Sequence, residues 1–476
     1  MMMVRYIIPL TAILISLAAP ARDAGNCNIG FELKGNGSSF VSLAYHLGDK
    51  QYIQDTIYTD AQGMASYHKE EPLKQGLYMI VFPDNNMFEL IMPDDQAFSV
   101  YCDKDDIINS LRFTGSEENT AFTEYRKKWM AFQKQAGEYR GLINNMSNAD
   151  SARILQLQLK SAEEDILEYI GSTAATHEGS LLSSMLYSML PLQVPEFDIT
   201  GISGNMDSLR WVKGYNYSKE HFFDNTDLAD PRLMRTPIIH NKLKTYFSNV
   251  LIQSPDSVIS GIRLVASEAE ADPETFRYVI AYIFNHFRDS RVMGHDAIIV
   301  MLADEYYLNG KAGWADKQFL DNLRKDVAAL RPNLIGNKAA DLTMQTFAGI
   351  HRSVYDISAE FTVLYFWEPN CGHCSESTPL LRDFYTANRD RGVEIFAVCT
   401  QGNKEEWEEY IAGHELEWIN GWDPARASRY DYYYNVKATP LIYVLNSDKE
   451  IIAKNIPADR LAEFIDNYRR LGGSGN

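Results

Sequence analysis

Cys371-Gly372-His373-Cys374 sets two thiols three positions apart. The continuous apolar run Phe361-Thr362-Val363-Leu364-Tyr365-Phe366-Trp367 precedes them and reads as a buried strand. Leu380, Leu381, Phe384 and Tyr385 follow at helical spacing. A cysteine at such a junction sits on a helix N-terminus, where unpaired N–H groups and the helix dipole stabilise an anion. Motifs of this kind bring a thiol pKa down to roughly 3.5–7.5, against about 8.5 for free cysteine. A protonated His373 would push the same way. The thiolate of Cys371 can then attack a disulfide, and Cys374, one helical step further in, can resolve the mixed disulfide. A zinc pair is the competing reading, but structural zinc takes four ligands, and neither a second Cys-x-x-Cys nor a spaced His pair is present. His351 and His414 stand alone.

The elements that must position this pair occupy residues 332–476. Their order reads strand, helix, strand, helix, strand, strand, helix. Val393-Glu394-Ile395-Phe396-Ala397-Val398-Cys399 is the second strand, and helical stretches are expected around Glu405–Ala412 and Ala425–Tyr433. Leu441–Leu445 and Glu450–Ala453 flank the turn Asn446-Ser447-Asp448-Lys449 as a hairpin, and Ala458–Leu471 reads as a closing helix.

Phe366-Trp367-Glu368-Pro369-Asn370-Cys371-Gly372-His373-Cys374 has Pro379 five residues after the second cysteine and Thr439-Pro440 ahead of a strand. On these residues the segment resembles the thioredoxin superfamily, and within it the periplasmic TlpA/ResA-like thiol-disulfide oxidoreductases. The resemblance implies an α/β thioredoxin-like fold with Cys371 as nucleophile and Cys374 as resolving thiol. It implies a cis Pro440 beside the dithiol, leaving the Thr439 backbone free to pair with an extended client peptide. Pro379 would kink the active-site helix. Trp367 would pack under the site and line the substrate groove. No cofactor is implied beyond the redox-active Cys371–Cys374 disulfide. The implied partners are client proteins carrying disulfides and a membrane or periplasmic electron donor. Three positions depart from the pattern. Tyr365 stands where thioredoxin has a buried Asp, Ser377 where ResA-like proteins have a Glu, and Asn370 where a Trp is usual. Glu368 is available as a replacement acid or base, but reads better as a solvated loop carboxylate. Gly336 with Ala339-Ala340-Asp341 matches the family's opening without its proline. Cys-Gly-His-Cys is also the dithiol of protein disulfide isomerases, so reductase, isomerase and oxidase directions all stay open.

Upstream the chain changes character twice. Residues 28–115 alternate at Ile29/Phe31/Leu33, Val41/Leu43/Tyr45, Tyr78/Ile80/Phe82, Phe88/Leu90/Met92 and Phe98/Val100/Cys102, which predicts a small antiparallel β-sandwich. Residues 116–331 read as an all-α module. Ser116 is its first N-cap, Ser180 opens a helix with Leu182, Met185, Leu186 and Met189, and Ile298, Ile299, Met301 and Leu302 belong to another. Asp272 caps a helix whose first residue is Pro273 and whose apolar face is Phe276, Val279, Ile280, Ile283, Phe284 and Phe287. Asp224, Asp227 and Asp230 lack the spacing of a calcium loop and read as capping carboxylates. Both modules resemble those found ahead of redox domains in some Gram-negative secreted proteins, and either could dock a partner or mediate dimerisation.

Arg5, the apolar run Tyr6–Leu17 and the A-x-A site at Ala19 and Ala21 describe a secretory signal peptide over residues 1–21, with cleavage after Ala21 or Ala24. The mature protein is therefore expected in the periplasm or outside the cell. Ala24-Gly25-Asn26-Cys27 fits a lipoprotein box badly, which disfavours anchoring through Cys27. Among 476 residues, 64 acidic against 45 basic side chains leave a net charge of -19, a surface that repels nucleic acid and anionic lipid. Five cysteines are too few for a disulfide-dense scaffold. Cys399 reads as a buried small hydrophobe, and Cys27 with Cys102 could bridge the sandwich. The residues thus point to an exported thiol-disulfide oxidoreductase; the alternative is a secreted binding or scaffold protein with a catalytically weak redox fold.

Overall fold

The computed structural model describes residues 26–198, 205–423 and 425–472. The expected signal peptide and its cleavage sites lie outside the described residues. No helix among the described residues is long and apolar enough to cross a membrane. The chain forms two compact units. One holds the described residues up to Leu190 with Arg232–Ile238; the other holds the described residues of Pro191–Pro231 and those from Ile239 onward.

The first unit is built on two four-stranded sheets. Strands β1 (Cys27–Lys34), β2 (Phe40–Leu47), β3 (Lys50–Tyr58), β4 (Met64–Lys69), β5 (Gly76–Val81), β6 (Met87–Met92), β7 (Ala97–Asp103) and β8 (Arg112–Thr114) arrange as β4-β1-β7-β8 and β3-β2-β5-β6. The alternating residues of β1, β2 and β5–β7 supply the core: Ile29, Phe31, Leu33, Val41, Leu43, Tyr78, Ile80, Phe88, Leu90, Phe98 and Val100. One pairing departs from the antiparallel expectation, since β1 runs parallel to β7. That register sets Leu33 opposite Cys102, while Cys27 begins the strand six residues earlier. At about 3.3 Å per residue the two sulfurs' backbones lie roughly 20 Å apart, far beyond the roughly 7 Å that a disulfide spans. A Cys27–Cys102 bridge is therefore excluded; both are free, buried thiols. The turn into β4 depends on Gly63, whose φ is +82° and where a Cβ would stand 2.2 Å from the Leu33 carbonyl oxygen. Two long helices, Glu117–Asn144 and Ala149–Thr176, follow, the first capped by Ser116 as its sequence predicts, and then Leu181–Met189 capped by Ser180.

The second unit joins helices to a seven-stranded sheet. Asp272 caps Pro273–Arg288, and all six residues of its expected apolar face are buried. Asp224 meets His221 Nδ1 at 2.9 Å, and Asp227 accepts from Ala229 N at 2.8 Å, so these carboxylates tie down the turn after the helix Met206–His221. The sheet contains β9 (Thr343–Thr346), β10 (His351–Ser353), β11 (Phe361–Trp367), β12 (Val393–Cys399), β13 (Ile419–Trp422), β14 (Leu441–Leu445) and β15 (Ile451–Lys454), ordered β10-β9-β13-β12-β11-β14-β15. β11, β12 and β13 are parallel, while β14 runs antiparallel to β11. Central β11 is buried on both faces. Val363, Tyr365 and Trp367 pack with Cys374 and Leu381 of the helix Gly372–Asn388, whereas Leu364 and Phe366 pack with Tyr430, Tyr434 and Tyr443. The helix expected over Ala425–Tyr433 shrinks to Tyr430–Tyr433. Asp423 accepts from the Ala427 and Ser428 amides instead, at 2.9 and 2.8 Å, and holds that stretch as a turn.

Buried polar links tie the sheet to the helices of the same unit. Lys454, 5% exposed, ends β15 with its ammonium on the Asp296 carboxylate and on Asn333, whose carbonyl and side-chain oxygens accept at 2.8 and 3.0 Å.

Candidate active site

β11 ends at Trp367, and the chain must turn before the next helix begins. Pro369 and Asn370 supply the turn, and Cys371 takes an extended conformation (φ −95°, ψ 118°) as the N-cap of Gly372–Asn388. Its sulfur does the work that a Ser or Asp oxygen does elsewhere, accepting the Cys374 amide at 3.2 Å. A sulfur so placed faces the positive end of a 17-residue helix, with a backbone donor aimed at it. Cys371 is part-exposed, whereas Cys374 is fully buried. Burial and the neighbouring Cys371 thiol push the Cys374 thiol up to about 12. The two sulfurs therefore differ in access, one reachable from solvent and the other buried beneath it.

The loop before β14 closes the site from the other side. The Thr439–Pro440 peptide bond is cis. The Cys371 thiol donates to the Thr439 carbonyl at 3.5 Å, and the Cys371 amide approaches the Glu368 carbonyl at 3.4 Å. The Thr439 hydroxyl donates to the Glu368 carboxylate at 2.5 Å. Glu368 is half-buried and engaged, so the solvated loop carboxylate expected from sequence is corrected to a bridge between the dithiol turn and the Thr439 loop.

The structure brings Cys371, Cys374, Thr439 and Pro440 together and sets Trp367 beneath them. Trp367 is completely buried, its ring 6.3 Å from Tyr365 and 4.8 Å from Tyr410, so it supports the site but does not line a surface groove. The His373 side chain is 84% exposed and directed at Glu376, 3.5 Å away. Pro379 lies exposed within the helix, downstream of the dithiol. Tyr365, at the position of thioredoxin's buried Asp, reaches the Cys374 carbonyl (3.4 Å) and the Thr378 hydroxyl (3.2 Å), which Tyr410 also contacts at 3.2 Å. Burial holds the Tyr365 phenol far above its ordinary range. Thr378, Tyr410 and Glu406, the last accepting from Asn370 at 3.1 Å, are the neighbours that sequence reasoning missed. Nothing local announces them, because two of the three lie more than 30 residues from the motif. Cys399, opposite Trp367, donates to the Gln401 carbonyl at 2.9 Å and is pushed up to about 12 by burial.

The C-terminal part of the chain is similar to known proteins. The family described as thioredoxin-like (Thioredoxin_8) matches residues 359–451. The thiol-disulfide oxidoreductase ResA of Bacillus cereus is 20% identical over 134 residues, which is 28% of this chain and 76% of the relative. ResA of Oceanobacillus iheyensis is 24% identical over 115 residues, 24% of this chain and 59% of the relative. Among solved structures, a domain of a possible thiol-disulfide isomerase from Cytophaga hutchinsonii is 36% identical, covering 29% of this chain and 95% of that one, with a TM-score of 0.28. A thioredoxin-like protein from Bacteroides caccae is 17% identical, covering 58% and 98%, with a TM-score of 0.44.

Proposed function

We propose, from the premise that this chain belongs through its C-terminal domain to the TlpA/ResA-like branch of the thioredoxin superfamily, that it is an exported enzyme exchanging electrons between the Cys371–Cys374 dithiol and protein disulfides. It acts as a reductase or isomerase. The observation that carries the reading is the asymmetry of the pair: a part-exposed sulfur on a helix N-terminus above a fully buried one.

The chemistry follows from that asymmetry. The Cys371 thiolate attacks one sulfur of a client disulfide; a Cys371–client S–S bond forms, the client S–S bond breaks, and the first client thiolate leaves. Cys374 then loses its proton and attacks the Cys371 sulfur. The mixed disulfide breaks, the Cys371–Cys374 bond forms, and the second client thiolate leaves carrying the second electron of the pair. A dithiol electron donor in the exported compartment returns the chain to its reduced form. As an isomerase, the client's own thiol resolves the mixed disulfide instead, and no net electrons move. The apolar core of the leader-like segment Tyr6–Leu17 supports export, and the upstream modules are the candidates for client docking or self-association.

Turnover of insulin disulfides tests the reading. The full chain, supplied with a small dithiol as reductant, should reduce insulin catalytically, and Cys371→Ala should abolish that turnover. Equal rates for the two proteins would refute it.

A further inference from the structure

Pro379 interrupts the active-site helix just beyond the resolving thiol. A proline has no N–H, so the Ser375 carbonyl four residues earlier loses its ladder donor, and the turn carrying Cys374 is joined to the rest of the helix by one bond fewer. Three hydroxyls hold that turn from the side. The Thr378 hydroxyl donates to the Cys374 carbonyl at 2.8 Å. Its one proton is spent there, so its lone pairs accept from the Tyr410 and Tyr365 hydroxyls, each at 3.2 Å. Tyr365 also lies 3.4 Å from the same carbonyl. These side chains come from three elements: β11, the active-site helix and the helix Lys404–Gly413. Thr378 and Tyr365 are buried, and the Tyr410 ring packs on Trp367 at 4.8 Å and stacks on His414 at 4.0 Å. Cys374 is thus tied at both ends of its backbone, its N–H to the Cys371 sulfur at 3.2 Å and its carbonyl to this cluster.

We propose that Thr378, with Tyr365 and Tyr410 behind it, is the positioning residue that holds the Cys374 sulfur within reach of Cys371 for the resolving attack. This inference rests on the dithiol reading above and deepens it. The cluster moves no proton and touches no client; it fixes where the second nucleophile stands. A displacement of about 1 Å can cost roughly 10²-fold in rate. Loss of the cluster therefore acts on the second step and spares attack by the part-exposed Cys371.

The test is single-turnover reduction of insulin by the pre-reduced full chain, quenched with acid and resolved by mass into mixed-disulfide and released species. Thr378→Val keeps the side chain's shape and removes its hydroxyl. It should form the mixed disulfide at the wild-type rate and release client about tenfold more slowly, part of the roughly 10²-fold that a 1 Å displacement costs. That factor should be the same from pH 6 to 8, and Thr378→Ser should restore the rate. Tyr410→Phe should slow release about threefold, the low end of what one hydrogen bond is worth, and add nothing in the Thr378→Val background. Release unchanged in Thr378→Val, formation and release slowed by one factor, or a Tyr410→Phe effect that persists without the Thr378 hydroxyl would overturn the proposal. If Thr378→Val does not fold, Tyr410→Phe carries the test alone: slowed release with normal formation supports it, and wild-type release overturns it. A wild-type chain that forms no mixed disulfide would instead remove the dithiol function, and this inference with it.

Discussion

Treating the native, reduced protein with iodoacetamide at pH 7 should modify one cysteine of five. Alkylation needs a thiolate and an open approach. Cys27 and Cys102 are fully buried, and burial pushes each thiol up to about 11. Cys374 and Cys399 are 0% and 1% exposed and are pushed up to about 12. At pH 7 those values leave roughly 10⁻⁴ and 10⁻⁵ of each thiol ionised, against about 3% for a free cysteine of pKa near 8.5. The chemical handicap alone is roughly 300-fold for the first pair and 3,000-fold for the second, before burial slows access further. Cys371 is the one part-exposed thiol, and it sits on the helix N-terminus. Peptide mapping after timed quenching should find Cys371 labelled while the other four appear only on the unfolding timescale. Denaturant should release all five. Two or more cysteines labelled together in the native protein, or Cys374 labelled before Cys371, would refute this reading of the site.

Two further predictions concern the helices and sheet of the second unit. His295 is 2% exposed, with Nε2 donating to the Gln253 carbonyl (3.1 Å) and Nδ1 accepting from Ser290 Oγ (2.8 Å), and burial holds its pKa below 6.5. The native state thus binds fewer protons than the unfolded chain; this stability is complete above about pH 6.5 and is lost as pH falls through that value. Denaturant midpoints should drop between pH 7 and 5.5, and less steeply in His295→Gln; an unaltered slope would contradict the assignment. Lys454→Met should cost up to about 3 kcal/mol by chemical denaturation, because the part-buried Asp296 is left without its cation, and Asp296→Asn should restore part of the loss.

How much of this was legible follows from where the determining contacts lie. The sandwich strands with one buried face announce themselves: Ile29/Phe31/Leu33 and Phe98/Val100/Cys102 alternate because every second residue enters the core. β3 does not, since Lys50–Tyr58 is almost wholly exposed and carries polar residues on both faces. β13 is four residues long and takes its strand character from pairing with β12 and β9 rather than from its own pattern. The start and the buried face of helix Pro273–Arg288 were readable because its cap, its proline and its apolar residues are all local. The placement of Cys371 at the start of the helix Gly372–Asn388 was readable for the same reason. Glu368 was misjudged because its partner, Thr439, is 71 positions away and reaches it only once β11 and β14 pair. Trp367 was half-read: an aromatic before the motif fits both a groove wall and a core, and only its complete burial decides between them.

The central claim is that electrons leave through Cys371 and Cys374, and the fate of those two residues in one turnover tests it most directly. The pre-reduced chain is mixed with one equivalent of insulin, quenched with acid, alkylated and digested. The account predicts a Cys371–Cys374 disulfide formed in step with the insulin thiols released, two per bridge, with Cys27, Cys102 and Cys399 still reduced. Insulin left intact while the pair stays reduced, or a bridge formed at any other cysteines, would contradict it.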